Sequence, residues 1–285
     1  MIRNNFDSCP FCQSKDLALA RAFTERPTGE TKFASLTEDK YSRKILSCSC
    51  CGHFLSTHDL DLENLYEEDY ASSTYGDGQG ILKAYNKVMG LQKDQSDNSS
   101  RVHRIIDFAS DYFSSSHKLD ILDIGSGLCV FLSKIKMLTD WTCTALEPDE
   151  RYCNHARNNV GVEVISQDYR LLNWNRQFNI ITLNKVLEHF VNPVEVLKKC
   201  TLDLAPGGII YIELPDGESA AEDKIGFERE EFFIDHHHAF SMTSMELLIK
   251  KSGLRSLTLE RVREPSSKYT IRGFISHSPK FHCQN

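Results

Sequence analysis

Two short cysteine pairs lie near the start of the sequence. Cys9 and Cys12 enclose Pro10-Phe11, Cys48 and Cys51 enclose Ser49-Cys50, and residues 13–47 separate the pairs. Each CxxC turn can aim two thiolates at one ion, so two turns together supply a tetrahedral Zn²⁺ site with Zn–S distances of about 2.3 Å. The linker is longer than the usual spacing of about 15–20 residues, and a small antiparallel sheet over residues 17–24 and 41–46 would fill it. Cys50 and His53 offer a Cys-x-x-His alternative for the second half. The all-thiolate set Cys9, Cys12, Cys48 and Cys51 is preferred, because closed Cys₄ sites are a common structural form. Four unligated thiols in a small domain are the bland alternative, against which the coincidence of two CxxC pairs argues. A closed site would organise a segment too short to have much core, which places the chemistry elsewhere.

A second constellation begins at residues 119–127, Leu-Asp-Ile-Leu-Asp-Ile-Gly-Ser-Gly, an apolar run ending in a glycine turn before an amphipathic stretch. Gly125 and Gly127 let a ligand approach the backbone. A dinucleotide fingerprint needs a third glycine at position 130, where Val130 stands, and this disfavours NAD. Glu147, in Ala145-Leu146-Glu147-Pro148-Asp149, falls at the tip of the next apolar run, where a carboxylate can accept both hydroxyls of a ribose. Asp168, in Ser166-Gln167-Asp168-Tyr169, could take the amino group of an adenine. Helix capping would explain any one of these acidic residues, but it explains all three together poorly.

The elements that must position these residues follow from hydrophobic pattern. Short apolar runs at residues 119–124, 142–146, 162–165, 179–183 and 209–213 alternate with amphipathic stretches such as 128–138 and 193–204, the signature of βαβ units and a largely parallel sheet. Pro193 suits a helix start. Two β-rich runs, 254–262 and 269–277, flank Glu264-Pro265-Ser266-Ser267 and predict an antiparallel hairpin. Residues 59–117, with Tyr66, Tyr70, Tyr75 and Tyr85 and glycines at 76, 78 and 80, read as a helical connector or lid whose tyrosines either pack as core or touch a ligand. The expected organisation is a zinc-ribbon-like module over 1–58, the connector over 59–117, and over 118–285 a Rossmann-like α/β domain with a mostly parallel seven-stranded sheet.

Composition limits the partners. Hydrophobic residues at 40% predict a packed core, and 33 basic against 40 acidic residues, a net charge of −7, argue against nucleic acid. No run approaches the roughly 18 apolar residues of a membrane span, and the opening residues lack a signal sequence. The expected location is therefore the cytoplasm, where clustered cysteines point to metal binding or catalysis rather than disulfides.

The ordered set Leu122-Asp123-Ile124-Gly125-Ser126-Gly127, Ala145–Asp149, Gln167-Asp168-Tyr169, Asn184-Lys185-Val186-Leu187-Glu188-His189-Phe190 and Leu204-Ala205-Pro206-Gly207-Gly208 closely resembles the class I S-adenosylmethionine-dependent methyltransferases. The likeness covers residues 118–277. It implies that Gly125 and Gly127 lie against the methionine part of the cofactor, that Glu147 holds the ribose, that Asp168 and Tyr169 frame the adenine, and that Asn184 lies near the methionine end. Asp123 completes the cofactor-binding set. Cys129 stands where the family often has glycine.

The paired cysteines followed by a segment such as residues 65–70 are similar to the front half of zinc-bearing methyltransferases of bacterial sugar and polysaccharide biosynthesis. Their C-methylating members carry a further C-terminal domain, which weights the expectation toward O- or N-methylation of a nucleotide-linked sugar or polysaccharide precursor. S-adenosylmethionine and a structural Zn²⁺ are the implied cofactors, and a small molecule the implied partner. Methyl transfer is an in-line displacement that needs an aligned, deprotonated acceptor, a task suited to histidine. In Asp235-His236-His237-His238-Ala239-Phe240-Ser241, His236 matches a family histidine beside the acceptor pocket and is the expected base, oriented by Asp235. A metal site or a solvated turn is the alternative for the triple histidine. His189 is expected to line the pocket, and in some relatives the Glu-His pair to which it belongs contributes to a divalent metal site. Two rival readings are a noncatalytic zinc-ribbon protein that only binds cofactor or a partner, and a methyltransferase acting on RNA or protein.

Overall fold

The computed structural model describes residues 6–30, 41–58, 78–113 and 118–277. The expected lid positions Tyr66, Tyr70 and Tyr75, and residues 65–70 as a whole, lie outside these. Near the N-terminus, β1 (Leu17–Phe23), β2 (Arg43–Cys48) and β3 (Phe54–His58) form an antiparallel sheet. Sequence pattern anticipated the first two strands. β3 finds its outer partner in a remote two-residue strand, His238–Ala239, through the pairs Phe54↔Ala239 and Leu55↔His238, a contact no local periodicity signals.

Two helices follow, α1 (Gly78–Met89) and α2 (Asp97–Tyr112), the second capped by the Ser96 side chain accepting from Ser99 N. The main sheet then builds outward from β4 (Asp120–Ile124) through α3 (Val130–Leu138), β5 (Thr142–Glu147), α4 (Glu150–His155) and β6 (Glu163–Ser166). The chain returns to the other side of β4 as β7 (Phe178–Asn184), α5 (Pro193–Asp203) and β8 (Leu204–Pro215). After α6 (Gly217–Glu222), the short strand His238–Ala239 (β9) and α7 (Met242–Lys251), the hairpin β10 (Leu254–Arg263) and β11 (Tyr269–His277) completes the order β6-β5-β4-β7-β8-β11-β10. β4 to β8 run parallel to one another, and β11 pairs antiparallel with both β8 and β10. This is the expected Rossmann-like seven-stranded sheet with an antiparallel C-terminal pair.

Successive strand residues serve opposite faces, as the period of two requires. Leu122, Ile181 and Ile210 pack with Leu197, Met245 and Leu248 from α5 and α7. Their neighbours Ile121, Ile180 and Ile209 pack with Ile105, Leu132 and Ile135 from α2 and α3. Both faces are covered, which is why these strands read as continuous apolar runs. α1 lies outside this core. Its Tyr85 packs on His155 at a centroid distance of 4.8 Å and its hydroxyl bonds to Ser133 Oγ at 2.7 Å, so this tyrosine serves helix packing.

The N-terminal sheet is joined to the larger unit by more than β9. Arg43 is fully buried, its Nη2 3.1 Å from Glu30 Oε1 and its Nε donating to Tyr41 Oη at 2.8 Å, and its remaining amino group donates to the Phe232 carbonyl. Glu30 in turn accepts from Tyr41 Oη at 2.6 Å and from Ile234 N at 2.7 Å. A buried charge stripped of its partner is expensive. Arg43→Met is therefore expected to lower stability by about 3–5 kcal/mol in urea denaturation, because it strands Glu30. A loss below about 1 kcal/mol, the scale of an exposed pair, would show that the network does not join the two parts.

Candidate functional site

The winding of the chain reverses between β4 and β7, and at that switch point a crevice opens beyond the carboxyl ends of the strands. β4 runs into Gly125, whose φ of +69° is open to glycine at no steric cost, and whose N–H donates to Leu146 O at 2.8 Å. A Cβ at Gly125 would lie 2.8 Å from Val186 Cγ2, so the backbone must be bare there. Gly127 follows with φ +47° and Cys129 with φ +55°. Cys129 holds this left-handed conformation as the residue that caps the start of α3, a position glycine would occupy at no steric cost.

Glu147 ends β5 directly across from this turn. It is 8% exposed, and its Oε2 accepts from Gly127 N at 2.9 Å while Oε1 accepts from Asp149 N at 3.2 Å. Burial raises its pKa to about 7 against the pull of those two amides. A carboxylate offers about four lone-pair positions, so two remain for a ligand, which fits the vicinal hydroxyls of a ribose. The cavity above has a volume of about 630 Å³ and is walled by Gly125, Gly127, Glu147, Asp168 and Tyr169, with Lys185, His189 and His237 among the other contributors.

Asp123 and Asn184 do not line this cavity. Asp123, 2% exposed, accepts at one oxygen from Thr182 Oγ1 at 2.6 Å and from Asn184 Nδ2 at 2.8 Å, and burial raises its pKa to about 7. The pair braces β4 against β7 beneath the crevice. Tyr169 reaches the cavity with its ring, while its hydroxyl donates to Asp203 at 2.6 Å. Asp168 is held by its neighbour: Arg170 Nη2 lies 2.6 Å from Oδ2, and Arg170 N donates to Oδ1 at 2.7 Å.

The histidines are distributed differently from expectation. His189 lines the cavity and its Nδ1–H donates to the Asp235 carbonyl at 2.9 Å, with Asp235 Oδ2 at 3.9 Å. His236 lies behind it, ring centroids 4.8 Å apart, and its Nδ1–H donates to the Glu231 carbonyl at 3.0 Å. Asp235 thus sits against His189 rather than His236, because the turn at 233–236 sends consecutive side chains in different directions. His237 also lines the cavity, but burial, reinforced by neighbouring imidazoles, pushes it down to about 2, too weak for a base. His238 is buried between His53 Nε2, 3.1 Å from its Nδ1, and the Val191 carbonyl, and burial pushes it down to about 4. Lys185, which sequence reasoning did not single out, contributes to the cavity from a left-handed turn at φ +58°, and burial holds its ammonium below the usual lysine range.

In the N-terminal module, the sulfurs of Cys9, Cys12, Cys48 and Cys51 all fall within 4.8 Å of one another. Cys9 and Cys51 are 3.5 Å apart and Cys12 and Cys48 3.4 Å, near the edge of about 3.8 Å that a tetrahedron with 2.3 Å bonds requires. Cys50 is exposed, and His53 is buried against His238 and Ser244, so neither joins the cluster.

A mostly parallel α/β sheet with a glycine turn and a buried carboxylate at its switch point is the layout in which such folds bind nucleotide ligands. Residues 94–259 match the family described as methyltransferase domain, and the chain belongs to it: it is a class I S-adenosylmethionine-dependent methyltransferase. Among solved structures it is similar to an S-adenosylmethionine-dependent methyltransferase from Clostridium acetobutylicum, with a TM-score of 0.53 and 15% identity over 70% of this chain and 99% of that one. It is also similar to 1,6-didemethyltoxoflavin-N1-methyltransferase from Burkholderia thailandensis, solved with 1,6-didemethyltoxoflavin and S-adenosylhomocysteine, with a TM-score of 0.52 and 14% identity over 88% and 100% of the two chains. At such identities the likeness is one of fold. No curated protein matches by sequence. Among the described residues no helix is long and apolar enough to cross a membrane.

The raised pKa of Glu147 has a testable sign. Its folded value of about 7 exceeds the unfolded value of about 4.3, so the folded chain keeps a proton that the unfolded chain releases between those values. Its contribution to stability is full below about pH 4 and is lost as pH rises through about 7. Glu147→Gln, which cannot ionise, is expected to gain stability relative to the parent on going from about pH 5 to about pH 8, on the order of 1–3 kcal/mol in urea denaturation without cofactor. A difference between the two proteins that does not change with pH would mean that Glu147 is solvated.

Proposed function

We propose that the cavity at the switch point holds S-adenosylmethionine with its ribose on Glu147, and that the methyl group passes to an oxygen or nitrogen of a small polar acceptor entering on the side of His189. The observation that carries this reading is Glu147, fixed by two backbone amides with acceptor capacity left over, in a cavity of about 630 Å³, within the roughly 300–1,000 Å³ typical of small-molecule sites. The bound cofactor supplies an electrophilic methyl on a sulfonium. Gly125 and Gly127 let its methionine part approach the backbone, with Asp123 and Asn184 holding the floor beneath. The ring of Tyr169 and the paired Asp168 stand where the adenine would lie. Proton removal from the acceptor falls to the cluster of His189, which faces the cavity, and His236, which meets it edge-on from behind.

The acceptor class we favour is a nucleotide-linked sugar or polysaccharide precursor. Two features support it: the pairing of a cysteine module with this domain, and the position of Lys185 at the cavity, a cation available to a phosphorylated acceptor. The four cysteines are assigned to a structural Zn²⁺. Their crowding favours one thiolate at the expense of another, with the hydrogen bond from Cys51 drawing Cys9 down to about 5 while Cys51 itself is pushed up. A divalent ion would allow all four to ionise.

Incubation with methyl-labelled S-adenosylmethionine and a panel of nucleotide sugars, peptides and RNA tests the reading. Label is expected in a nucleotide sugar, with one S-adenosylhomocysteine formed per methyl transferred. Label appearing in RNA or peptide instead would overturn the acceptor class, and failure to bind S-adenosylhomocysteine would overturn the cofactor site.

A further inference from the structure

Glu188 and Glu264 are the buried carboxylates with both oxygens unpartnered among the described residues, and Glu188 is the one beside the cavity histidines. It is 1% exposed, and neither of its oxygens has a hydrogen-bond partner among them. A buried carboxylate with no donor is strongly penalised, and in a native fold such a group calls for a missing proton, water or ion. The surroundings decide among these options. A carboxylate oxygen of Glu188 and ring nitrogens of His189 and His236 all lie within 4.8 Å of one another.

Both imidazoles are already set as ligands. The Nδ1–H of His189 is given to the Asp235 carbonyl at 2.9 Å and that of His236 to the Glu231 carbonyl at 3.0 Å. A backbone carbonyl on one ring nitrogen is the usual outer support of a metal-binding histidine, because it fixes the tautomer that leaves a lone pair on the other nitrogen. The rings meet edge-on, turned 67° to one another at 4.8 Å. The Asp235 carboxylate, 3.9 Å from His189 Nδ1, adds a second negative charge beside the cluster.

We infer that Glu188, His189 and His236 form a divalent transition-metal site, two imidazoles and one carboxylate, in the wall of the cavity and separate from the four cysteines. The donor set suits zinc, iron(II), cobalt or manganese, and leaves coordination positions open. His189 belongs to both the site and the cavity lining, so an ion held there lies at the acceptor end, where an open position takes water or an acceptor oxygen. This deepens the proposed acceptor site and rests on that reading only for the ion's role, where it replaces direct proton removal by the imidazoles: with their second nitrogens on the ion, an acceptor oxygen bound to it would ionise more readily and release its proton to solvent. The metal site itself stands on the three side chains.

The test counts ions and reads their ligands on the full chain. Elemental analysis after zinc loading and removal of unbound metal is expected to find about two ions per chain. Glu188→Gln and His236→Gln should each lower the count to about one, and Cys48→Ser should remove the other. Cobalt(II) added to the parent protein provides a check that needs no variant. It should give visible ligand-field absorption without a thiolate charge-transfer band, from imidazole and carboxylate ligands, while the cysteines keep their zinc. Calorimetric binding of S-adenosylhomocysteine, read in parallel, should be retained in both cluster variants, which separates failure of the metal site from failure of the cofactor site. A parent protein that takes one ion per chain and shows no ligand-field absorption with cobalt(II) overturns the inference, as does a second ion that persists in both variants.

Discussion

The hydrogen bond from Gly127 N to Glu147 is the contact on which the site depends. It spans the gap between the turn after β4 and the tip of β5, two strands brought side by side by parallel pairing from Asp120↔Thr142 to Ile124↔Leu146. The turn can approach only because position 125 has no side chain to meet Val186, and the carboxylate tolerates burial because two amides point at it. Remove the parallel register and neither group has a partner. The brace of Asp123 with Thr182 and Asn184 performs the same service on the other flank, tying β4 to β7. The crevice is thus the place where three strand ends are locked together by polar contacts above an apolar sheet.

The N-terminal module bears on the same crevice through a short relay. β3 pairs with β9, Ser56 N donates to the His237 carbonyl at 3.0 Å, and His237 N donates to the Glu188 carbonyl at 2.9 Å. Phe11, between the first two cysteines, packs against His53 and Phe240 in the same core that holds α7. An ion that organises the four cysteines would therefore stiffen the backbone that presents Glu188 and His237. The module is thus tied to the wall of the crevice near His189 and His237 through backbone contacts.

Much of this could be read from sequence, for a physical reason in each case. β4, β7 and β8 are covered on both faces, so Ile121-Leu122, Ile180-Ile181 and Ile209-Ile210 stand out as apolar runs, and the hairpin is marked by the polar residues between its strands. The glycine turn, Glu147 and the cysteine pairs are local motifs whose spacing carries their geometry. What stayed hidden depends on remote contacts. β9 is two residues long and exists only because β3 arrives beside it. Asp235 follows the usual habit of a carboxylate next to a histidine in the sequence, yet the turn hands it to His189. Tyr85 was open by type to either core packing or ligand contact, and Ser133 and His155, both far along the chain, decide for packing. Lys185 carries no periodic signal at all, and its place at the cavity comes from a left-handed turn at the end of β7.

The central claim is that Glu147 and the glycine turn receive the nucleoside of the cofactor. A crystal structure of the full chain with S-adenosylhomocysteine tests it directly. The account predicts both ribose hydroxyls within about 2.6–3.2 Å of the Glu147 carboxylate, with Gly127 N still bonded to that carboxylate. A cofactor bound with its ribose away from Glu147, or a carboxylate that swings off Gly127 to meet it, would contradict the account.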